Sequence, residues 1–274
     1  MSFTHPRFRA PWLSSLQAYE YMSGLARSDW AWEFLRRNPA FWSLARLRHT
    51  RGVVHVRLAS GAILTRLRAR QPNAEAWGLA AFTDPRLDAF HAHPVWIPEF
   101  ARRPTFQLTA RTTPKSADGI DIRALPSVEH ILLDAAGRQH VTLRGVHGRV
   151  WITIVGAPVV PAPITLCLSL GHADDIVQKA GQLWRLGQAL SASNKLPDLT
   201  THRSAHSKRL RDALITLDGR RAGATFRQIA SLIYGPERVE RDWPGAGLKV
   251  RIRRDFQRGL ALCNGGYRDL LVQG

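Results

Sequence analysis

Apolar residues recur at helical spacing through the last third of the chain, and this pattern restricts the region to short, packed helices. Leu210–Leu217 carries the i, i+3, i+4, i+7 stripe of an amphipathic helix, and we expect Asp218-Gly219 to end it. A second helix is predicted to follow Thr225, which can form a capping box with Gln228, and to end at Gly235-Pro236. The residues expected to face the core are Leu210, Ala213, Leu214 and Leu217 in the first helix and Phe226, Ile229, Ala230 and Ile233 in the second.

The segment Leu248–Leu262 is predicted to be a third helix with a one-sided charge. It contains five basic residues and one acidic residue, Asp255, whereas the helices of soluble proteins usually mix both signs. At 100° per residue, Arg251, Arg254 and Arg258 fall together opposite the apolar stripe. This pattern indicates a recognition helix that binds DNA, and a solvated charged face is the alternative. The apolar stripe consists of Leu248, Ile252, Phe256 and Leu260, and Gln257 lies beside the arginines.

Two further features favour a nucleic-acid partner. The spacer from Pro236 to Gly247 exceeds the roughly 3–4-residue turn of an ordinary helix-turn-helix, which predicts a basic loop and a variant of the motif. The chain contains 39 Lys and Arg against 21 Asp and Glu, a formal net charge of +18. This excess lies at the ends, because residues 1–70 hold 12 basic and 3 acidic side chains and residues 202–274 hold 15 and 7. Such a charge binds polyanions through counterion release.

The N-terminal region is predicted to be helical and aromatic. Asp29 is a candidate N-cap, and Asn38-Pro39 is expected to break the helix before another begins at Phe41. Aromatic residues at helical spacing usually form a small core, and a protein-docking surface is the alternative. The first apolar surface comprises Trp30, Trp32, Phe34 and Leu35, and the second comprises Phe41, Trp42, Leu44 and Leu47.

The middle of the chain is predicted to be rich in strands. Val128–Leu133 and His140–Leu143 are β-prone and are separated by Asp134–Arg138, so they predict a hairpin. Val150–Val155 and Ile164–Leu170 are predicted to add two strands. Helical spacing then returns after Asp174 through Ile176, Ala180, Leu183 and Leu186, and the polar segment Ser191–Ser204 is predicted to be a linker.

Together these patterns predict an α+β protein. We expect a helical domain over residues 1–70, a mixed, β-rich region over 71–192 and a helix-turn-helix-variant DNA-binding domain over 193–274. The uncharged run Val150–Gly171 is not predicted to cross a membrane, because three prolines interrupt it. Met1–Trp12 is polar and basic, so no secretory signal is expected there.

The sequence offers little for catalysis or metal binding. Cys167 and Cys263 are too few for a disulfide framework or a zinc site, which favours a reducing, cytoplasmic setting. His91 and His93 could be neighbouring ligands in a strand, but no third ligand is apparent and a surface pair is the simpler interpretation. No glycine-rich phosphate loop or Ser-His-Asp set is present. We therefore predict no enzymatic activity, no cofactor and no metal.

Both ends of the chain resemble proteobacterial regulators. Residues 31–39 (Ala-Trp-Glu-Phe-Leu-Arg-Arg-Asn-Pro) are similar to the signature of a "transcriptional regulator-like" N-terminal domain, and Trp77-Gly78-Leu79, Asp84-Pro85 and Trp96 resemble the segment after it. Leu210–Leu271 resembles the DNA-binding domain of the same group. This group includes RovC-like activators of type VI secretion genes, FseA-like excision activators of integrative and conjugative elements, and short QseM-like antiactivators. The C-terminal motifs are Leu217-Asp218-Gly219, Phe226-Arg227-Gln228-Ile229-Ala230, Tyr234-Gly235, Trp243, Arg253-Arg254 and Gly265-Gly266-Tyr267-Arg268.

The resemblance implies a cytoplasmic, nucleoid-associated transcription factor that binds double-stranded promoter DNA through its C-terminal domain and forms a homo-oligomer. It implies activation of type VI secretion or mobile-element genes, with RNA polymerase or a small antiactivator as further partners. Carried over by position, it implies DNA contacts from Arg251, Arg253, Arg254 and Arg258 and phosphate contacts from Lys249 and Arg241. It also implies that Arg227, on the second helix, lies where that helix crosses the DNA backbone. Gln257, which helical spacing places beside the arginines, is a further candidate DNA contact.

Two other functions remain open from the sequence. The first is a protein-interaction regulator like the antiactivators, although these consist essentially of the C-terminal domain alone. The second is a DNA strand-exchange enzyme, because His206 and Arg209 have the His-x-x-Arg spacing of tyrosine recombinases and Tyr267 lies downstream.

Overall fold

The chain folds into two compact units, one of which is built from both of its ends. Unit 1 combines Met1–Trp42 with Thr200–Gln273, and unit 2 contains Ser43–Leu199. Unit 1 consists of helices and unit 2 combines a sheet with helices, so the α+β class is confirmed. The computed structural model describes residues 16–97, 100, 106–113, 119–145, 148–160, 163–168, 173–191 and 205–272.

The helices follow one another in chain order through these described residues. The α-helices are α1 (Arg27–Leu35), α2 (Pro39–Arg48), α3 (Pro72–Glu75), α4 (Ala89–Ala92), α5 (Ala173–Ser191), α6 (Ala205–Arg221), α7 (Phe226–Tyr234), α8 (Pro236–Asp242), α9 (Ala246–Cys263) and α10 (Asp269–Val272). Short 3-10 helices are found at Leu16–Gly24, Ile122–Ala124 and Gly266–Arg268. No helix of this described part is long and apolar enough to cross a membrane.

A seven-stranded sheet organises unit 2. Its strands are β1 (Val53–Arg57), β2 (Ile63–Leu67), β3 (Phe106–Thr112), β4 (Val128–Leu133), β5 (Gln139–Gly145), β6 (Gly148–Gly156) and β7 (Ile164–Leu168). The order across the sheet is β1-β2-β4-β5-β6-β3-β7. The β2–β4 and β3–β6 pairs are parallel, and the other neighbours are antiparallel.

The predicted hairpin in the middle of the chain is confirmed as β4 and β5. Its turn is held by Asp134, whose Oδ1 accepts the backbone N–H groups of Ala136 and Arg138 at 2.9 Å each. Gly137 adopts φ 80°, a conformation that glycine tolerates. The strands predicted from Val150 and from Ile164 are present as β6 and β7, and the helix predicted after Asp174 is α5.

The structure also contains strands that the sequence patterns did not indicate. The hairpin of β1 and β2 lies within residues 1–70, which were interpreted as helical, and β3 was not predicted. Because β1 is exposed along nearly its whole length, it lacks the alternation that identifies a strand. The domain boundaries at residues 70 and 192 stay predictions. The predicted linker beyond Ser191 and the segment Met1–Trp12 lie outside the described residues.

The N-terminal aromatic residues form a core within unit 1. Trp30 and Trp32 are buried, and Trp32 makes an edge-to-face contact with Phe41. The prediction of Asp29 as N-cap is wrong: α1 begins at Arg27, and Asp29 lies two residues further, where its carboxylate accepts the Ala26 N–H at 3.3 Å. The helix therefore starts earlier than the apolar run suggested, because the carboxylate caps it from its first turn.

The break before α2 is confirmed and is made by an asparagine. Asn38 Oδ1 accepts the backbone N–H groups of Ala40 and Phe41 at 2.9 and 3.1 Å, so it caps the helix that Pro39 begins. The same side chain donates from Nδ2 to the carbonyl oxygen of Cys263 at 3.0 Å. The loop between α1 and α2 is therefore attached to the end of α9.

A buried ion network joins the N-terminal segment to α6. Arg37 Nε donates to both carboxylate oxygens of Asp218 at 2.9 and 3.0 Å, and both side chains are inaccessible to solvent. Arg37 also pairs with Glu33 at 2.5 Å, and Tyr19 Oη donates to Asp218 Oδ2 at 3.1 Å. Although burial alone would raise the pKa of Glu33, Arg36 and Arg37 hold it below its usual value. Each charge thus has an opposite charge within hydrogen-bond distance, which a buried charge requires.

Helices α6 and α9 approach closely at a glycine. A Cβ atom at Gly259 would lie 2.5 Å from the carbonyl oxygen of Ala213 and 3.1 Å from Cβ of Leu217. Both neighbouring atoms belong to α6, and one is backbone, so they cannot move aside without shifting the helix. The absence of a side chain at Gly259 therefore determines how near the two helices lie.

We expect Gly259→Ala to destabilise unit 1 by about 1–3 kcal/mol, because the added methyl group overpacks the α6–α9 contact. Gly247→Ala is the matched control, since no atom lies within 4 Å of a Cβ at that position in α9. The control should be neutral or stabilising by up to about 1 kcal/mol, the helix-propensity difference between the two residues. Urea unfolding of both variants measures the effect, and equal free energies for the two would contradict it.

We expect Asp218→Asn to destabilise unit 1 by about 3–5 kcal/mol, since it removes one partner of a buried ion pair. Asp242→Asn makes the same change in an exposed pair with Arg238 and should have little effect, because solvent screens the pair. Urea titrations followed by tryptophan fluorescence compare the two variants. A similar small effect for both would show that the Arg37–Asp218 pair does not hold the N-terminal segment in place.

Candidate nucleic-acid interface

The first helix of the predicted motif is longer than the sequence suggested. Its four predicted core residues are all buried, which confirms the stripe from Leu210 to Leu217. The prediction that Asp218-Gly219 ends the helix is wrong, because α6 continues to Arg221. Asp218 does not act as a helix stop, since its carboxylate is engaged by Arg37 in the core. The chain turns instead at Gly223, which has φ 92°.

The second helix, α7, begins with the predicted capping box. The Gln228 N–H donates to Thr225 Oγ1 at 3.2 Å, and the Thr225 N–H donates to Gln228 Oε1 at 2.8 Å. Phe226 follows the cap and meets Phe256 of α9 edge to face, with ring centroids 5.8 Å apart. The cap and this ring pair fix the start of α7 against α9. Of the predicted stripe, Ile229 and Ala230 are buried, and Phe226 and Ile233 are partly exposed.

The spacer between the second and third helices is a helix and not the predicted basic loop. Pro236 occupies the first turn of α8, where its missing N–H is not needed. Val239 is buried and provides the packing contact, and Arg238 pairs with Asp242 one turn later at 3.2 Å. The motif is therefore a helix-turn-helix variant in which a short third helix stands between α7 and α9.

The buried side of α9 differs from the predicted stripe. Leu248 and Ile252 are buried as expected, but Phe256 and Leu260 are partly exposed. At Gly259 the closely packed α6 leaves no room for a side chain, because a Cβ atom there would lie 2.5 Å from the Ala213 carbonyl oxygen. The buried residues of α9 are Leu248, Ile252, Asp255, Gly259 and Cys263.

This change rotates the arginine face relative to the prediction. At 100° per residue, Arg254 and Gln257 lie roughly 140–160° from the centre of the buried side, whereas Arg251 and Arg258 lie only about 80–100° from it. Arg251, Arg254 and Arg258 are all exposed, as the spacing predicted, but Arg254 lies furthest from the buried side and the other two flank it. Arg254, Gln257 and Val250 form the outermost stripe, and Val250 is 41% exposed.

Two arginines of α9 carry charges that no acidic side chain of the described residues neutralises. Arg253 and Arg254 are exposed, and within the described part of the chain neither forms an ion pair. Gln257 is exposed beside them and has free amide donor and acceptor groups in the same described part. Uncompensated guanidinium groups next to an amide can bind phosphates and the edges of bases.

Arg251 and Arg258 are held close to buried carboxylates. Arg258 lies 3.5 Å from Asp255, and the Arg251 guanidinium lies 5.2 Å from the ring centre of Tyr234. Burial, and then the neighbouring Asp212, raise the pKa of Asp255. Burial raises the pKa of Tyr234 to about 12, and Asp255 and Asp212 add to this. These contacts preorganise the two arginines and partly offset their charge.

The remaining predicted contacts surround α9. Arg227 is exposed in the first turn of α7, where the positive helix end also favours an anion. Lys249 lies at the start of α9, with its ammonium 6.0 Å from the ring of Trp243. Arg241 is 75% exposed on α8 and pairs with Asp242 at 3.1 Å. The eight predicted residues thus lie on three consecutive helices of unit 1.

The residue required for strand exchange is inaccessible. Tyr267 is fully buried in unit 1, and burial raises the pKa of its phenol. A tyrosine nucleophile must reach a phosphodiester, which a buried ring cannot do. The His206 and Arg209 pair on α6 therefore has no accessible tyrosine partner at position 267.

The two neighbouring histidines do not lie in a strand, which was the arrangement considered for a metal-binding pair. His91 lies in α4, and His93 follows the helix in a left-handed conformation with φ 46°. His91 bonds Asp88 at 2.6 Å, and His93 approaches Glu129 at 3.7 Å. The described residues contain no group of three ligands that could hold a metal ion, and Cys167 and Cys263 are both free thiols.

Comparison with known protein families matched both ends of the chain. Residues 12–80 match the proteobacterial transcriptional regulator-like domain. Residues 170–272, which include α6 to α10, match the RovC-type family described as a type VI secretion system transcription factor, DNA-binding domain. A comparison with curated proteins gave no match. The helix-turn-helix variant described above therefore lies inside the segment that is similar to this DNA-binding domain.

Proposed function

We propose that this chain, a DNA-binding transcriptional regulator of the RovC type, binds promoter DNA sequence-specifically by inserting α9 into the major groove. The observation that carries the proposal is the outer face of α9. It presents the exposed guanidinium groups of Arg253 and Arg254, which have no ion-pair partner in the described part of the chain. The exposed amide group of Gln257 lies beside them. An α-helix fits the major groove, where guanidinium and amide groups can distinguish bases.

Three residues at the centre of this face are assigned to base readout. Arg254 can donate two hydrogen bonds to a guanine, and Gln257 can form a donor and acceptor pair with an adenine. Val250 is exposed on the same stripe and can contact a thymine methyl group. This assignment uses the residues that lie furthest from the buried side of the helix.

The surrounding basic residues are assigned to the phosphate backbone. Arg251 and Arg258 flank the outer stripe and are preorganised by Tyr234 and Asp255, which suits a fixed phosphate contact. Phosphate contacts position a protein on DNA without reading its sequence. The other residues assigned to phosphates are Arg227, Arg241, Lys249 and Arg253.

The regulated genes and the assembly are proposed on the family resemblance. The chain acts in the cytoplasm as a homo-oligomeric activator of type VI secretion or conjugative-element genes. RNA polymerase or a small antiactivator is its further partner. An oligomer would place several copies of α9 along one promoter, which raises affinity through linked binding events.

The first test is the selection of bound fragments from random genomic DNA at near-physiological salt. The wild-type protein should recover a discrete promoter motif, and the triple variant Arg253→Ala, Arg254→Ala, Gln257→Ala should lose it while retaining its fold. Salt-sensitive retention of all fragments, unchanged in the variant, would contradict sequence-specific binding. That result would favour a regulator that acts on another protein.

A second test separates base readout from phosphate contact. We expect Arg254→Ala to weaken binding to the selected site by about 1–3 kcal/mol and to relax specificity at one base pair. Lys249→Ala should weaken binding to all sequences alike and reduce the salt slope by about one unit.

The control for the loss of one positive charge is Arg66→Ala in unit 2, where the arginine is exposed and far along the chain from α9. Affinities are measured on the selected site and on random DNA at several salt concentrations. Equal losses on both DNAs for Arg254→Ala would overturn its assignment to base readout.

A further inference from the structure

Unit 2 contains a cavity of about 440 Å³ that the proposed DNA contacts do not use. Its floor is one face of β1, β2 and β4, where strand register places His55 opposite Thr65 and Ile63 opposite His130. Side chains alternate between the faces of a strand, so these residues share a face. The walls are the segment from Ala81 to Asp84 and α4 with its flanking residues.

The volume and the lining are those of a small-molecule site. Binding pockets typically enclose about 300–1,000 Å³ and are mostly apolar, with a few placed polar groups. The apolar side chains come from the strand face and from both walls. An apolar ligand would therefore be surrounded on several sides. The apolar side chains on the cavity side of the strands and on the walls are Val53, Ile63, Phe82 and Leu87.

The floor of the cavity is polar but uncharged. His55 Nδ1 and Thr65 Oγ1 lie 2.9 Å apart, and Thr65 Oγ1 lies 2.8 Å from His130 Nε2, which makes a continuous hydrogen-bond chain. The ring of His93 lies 5.8 Å from that of His130. Burial lowers the pKa of His130 to about 3 and that of His93 to about 4. Both imidazoles are therefore neutral near pH 7, and the inner lining carries no charge from them.

The lining nevertheless contains one uncompensated charge. Asp84 is paired with Arg86 at 2.6 Å and also faces His49 at 3.6 Å. Arg57, at the end of β1, forms no ion pair within the described part of the chain. It is exposed at its outer end and contributes to the cavity lining. Charge complementarity therefore favours an anionic group on an otherwise apolar molecule.

We infer that this cavity, which we call the histidine-floored pocket, binds a small apolar monocarboxylate. The apolar body lies between the strand face and the wall that carries Phe82 and Leu87, and the carboxylate points to Arg57. The inference goes beyond DNA recognition, because it assigns unit 2 a ligand and does not depend on α9.

The test uses two probes of the same shape, 2-naphthoate and 2-naphthamide, titrated into the full-length protein and followed by ligand-observed NMR. Naphthoate should bind at least about fivefold more tightly than naphthamide, the difference expected for one partly exposed charged hydrogen bond. Arg57→Gln should remove that preference and leave naphthamide binding unchanged.

Two blocking variants locate the binding. Val53→Trp fills the pocket from the floor face of β1, and Leu87→Trp fills it from the opposite wall; Val53 is only partly buried and Leu87 is 40% exposed. Val54→Trp is the matched control on β1, because Val54 does not line the cavity. Each blocking variant should weaken naphthoate binding more than tenfold, and the control should not.

Circular dichroism shows whether each blocking variant is folded. If one of them is unfolded, the test of the binding site relies on the other blocking variant. Absence of naphthoate binding to the wild-type protein would overturn the inference. So would binding that survives both blocking variants, or equal affinities for naphthoate and naphthamide that Arg57→Gln leaves unchanged.

Discussion

The buried pair of Arg37 and Asp218 is the contact on which the architecture of unit 1 depends. It joins the N-terminal segment to α6 through two hydrogen bonds of 2.9 and 3.0 Å, and both side chains are inaccessible to solvent. The desolvation of such a pair offsets much of its attraction, so its main effect is on specificity. Any alternative packing that separates the two charges leaves one of them buried without a partner. The pair therefore selects one docking of α1 on the C-terminal helices.

The same helices fix the proposed DNA surface. α6 holds Asp218 on one side and packs against Gly259 of α9 on another. Because α9 approaches so closely, Asp255 is buried and Arg251 and Arg258 remain near it. Arg254 is left on the far side, where nothing in the described chain neutralises it. The free charge of the outer face is thus a consequence of how tightly the inner face is packed.

Local signals were predictable from the sequence, and long-range ones were not. The capping box of Thr225 and Gln228 and the turn at Asp134 lie within a few residues, so pattern alone identifies them. The Arg37–Asp218 pair spans 181 positions, and no local pattern relates the two residues. The apolar spacing predicted that Phe256 and Leu260 lie in the core. The buried side of α9 instead contains Gly259, because α6 and α9 are too close there for a side chain. The pocket in unit 2 depends on the register of β1, β2 and β4, which a single sequence does not reveal. Recognition of both regulator domains came from motif resemblance, whereas the DNA contacts of individual arginines remain a prediction.

Unit 1 is discontinuous in the chain, and this has a consequence for its biosynthesis. Its first segment ends at Trp42, and its second begins at Thr200. At about 5–20 residues per second, a ribosome needs on the order of ten to thirty seconds to make the intervening stretch. During that interval α6 and α9 do not yet exist to pack against Trp30 and Trp32. The nascent chain therefore exposes an apolar, aromatic segment to which a chaperone can bind. Unit 1 is accordingly assembled only after the segment that begins at Thr200 has been made, and a product terminated before that segment lacks the helices that carry the proposed DNA contacts.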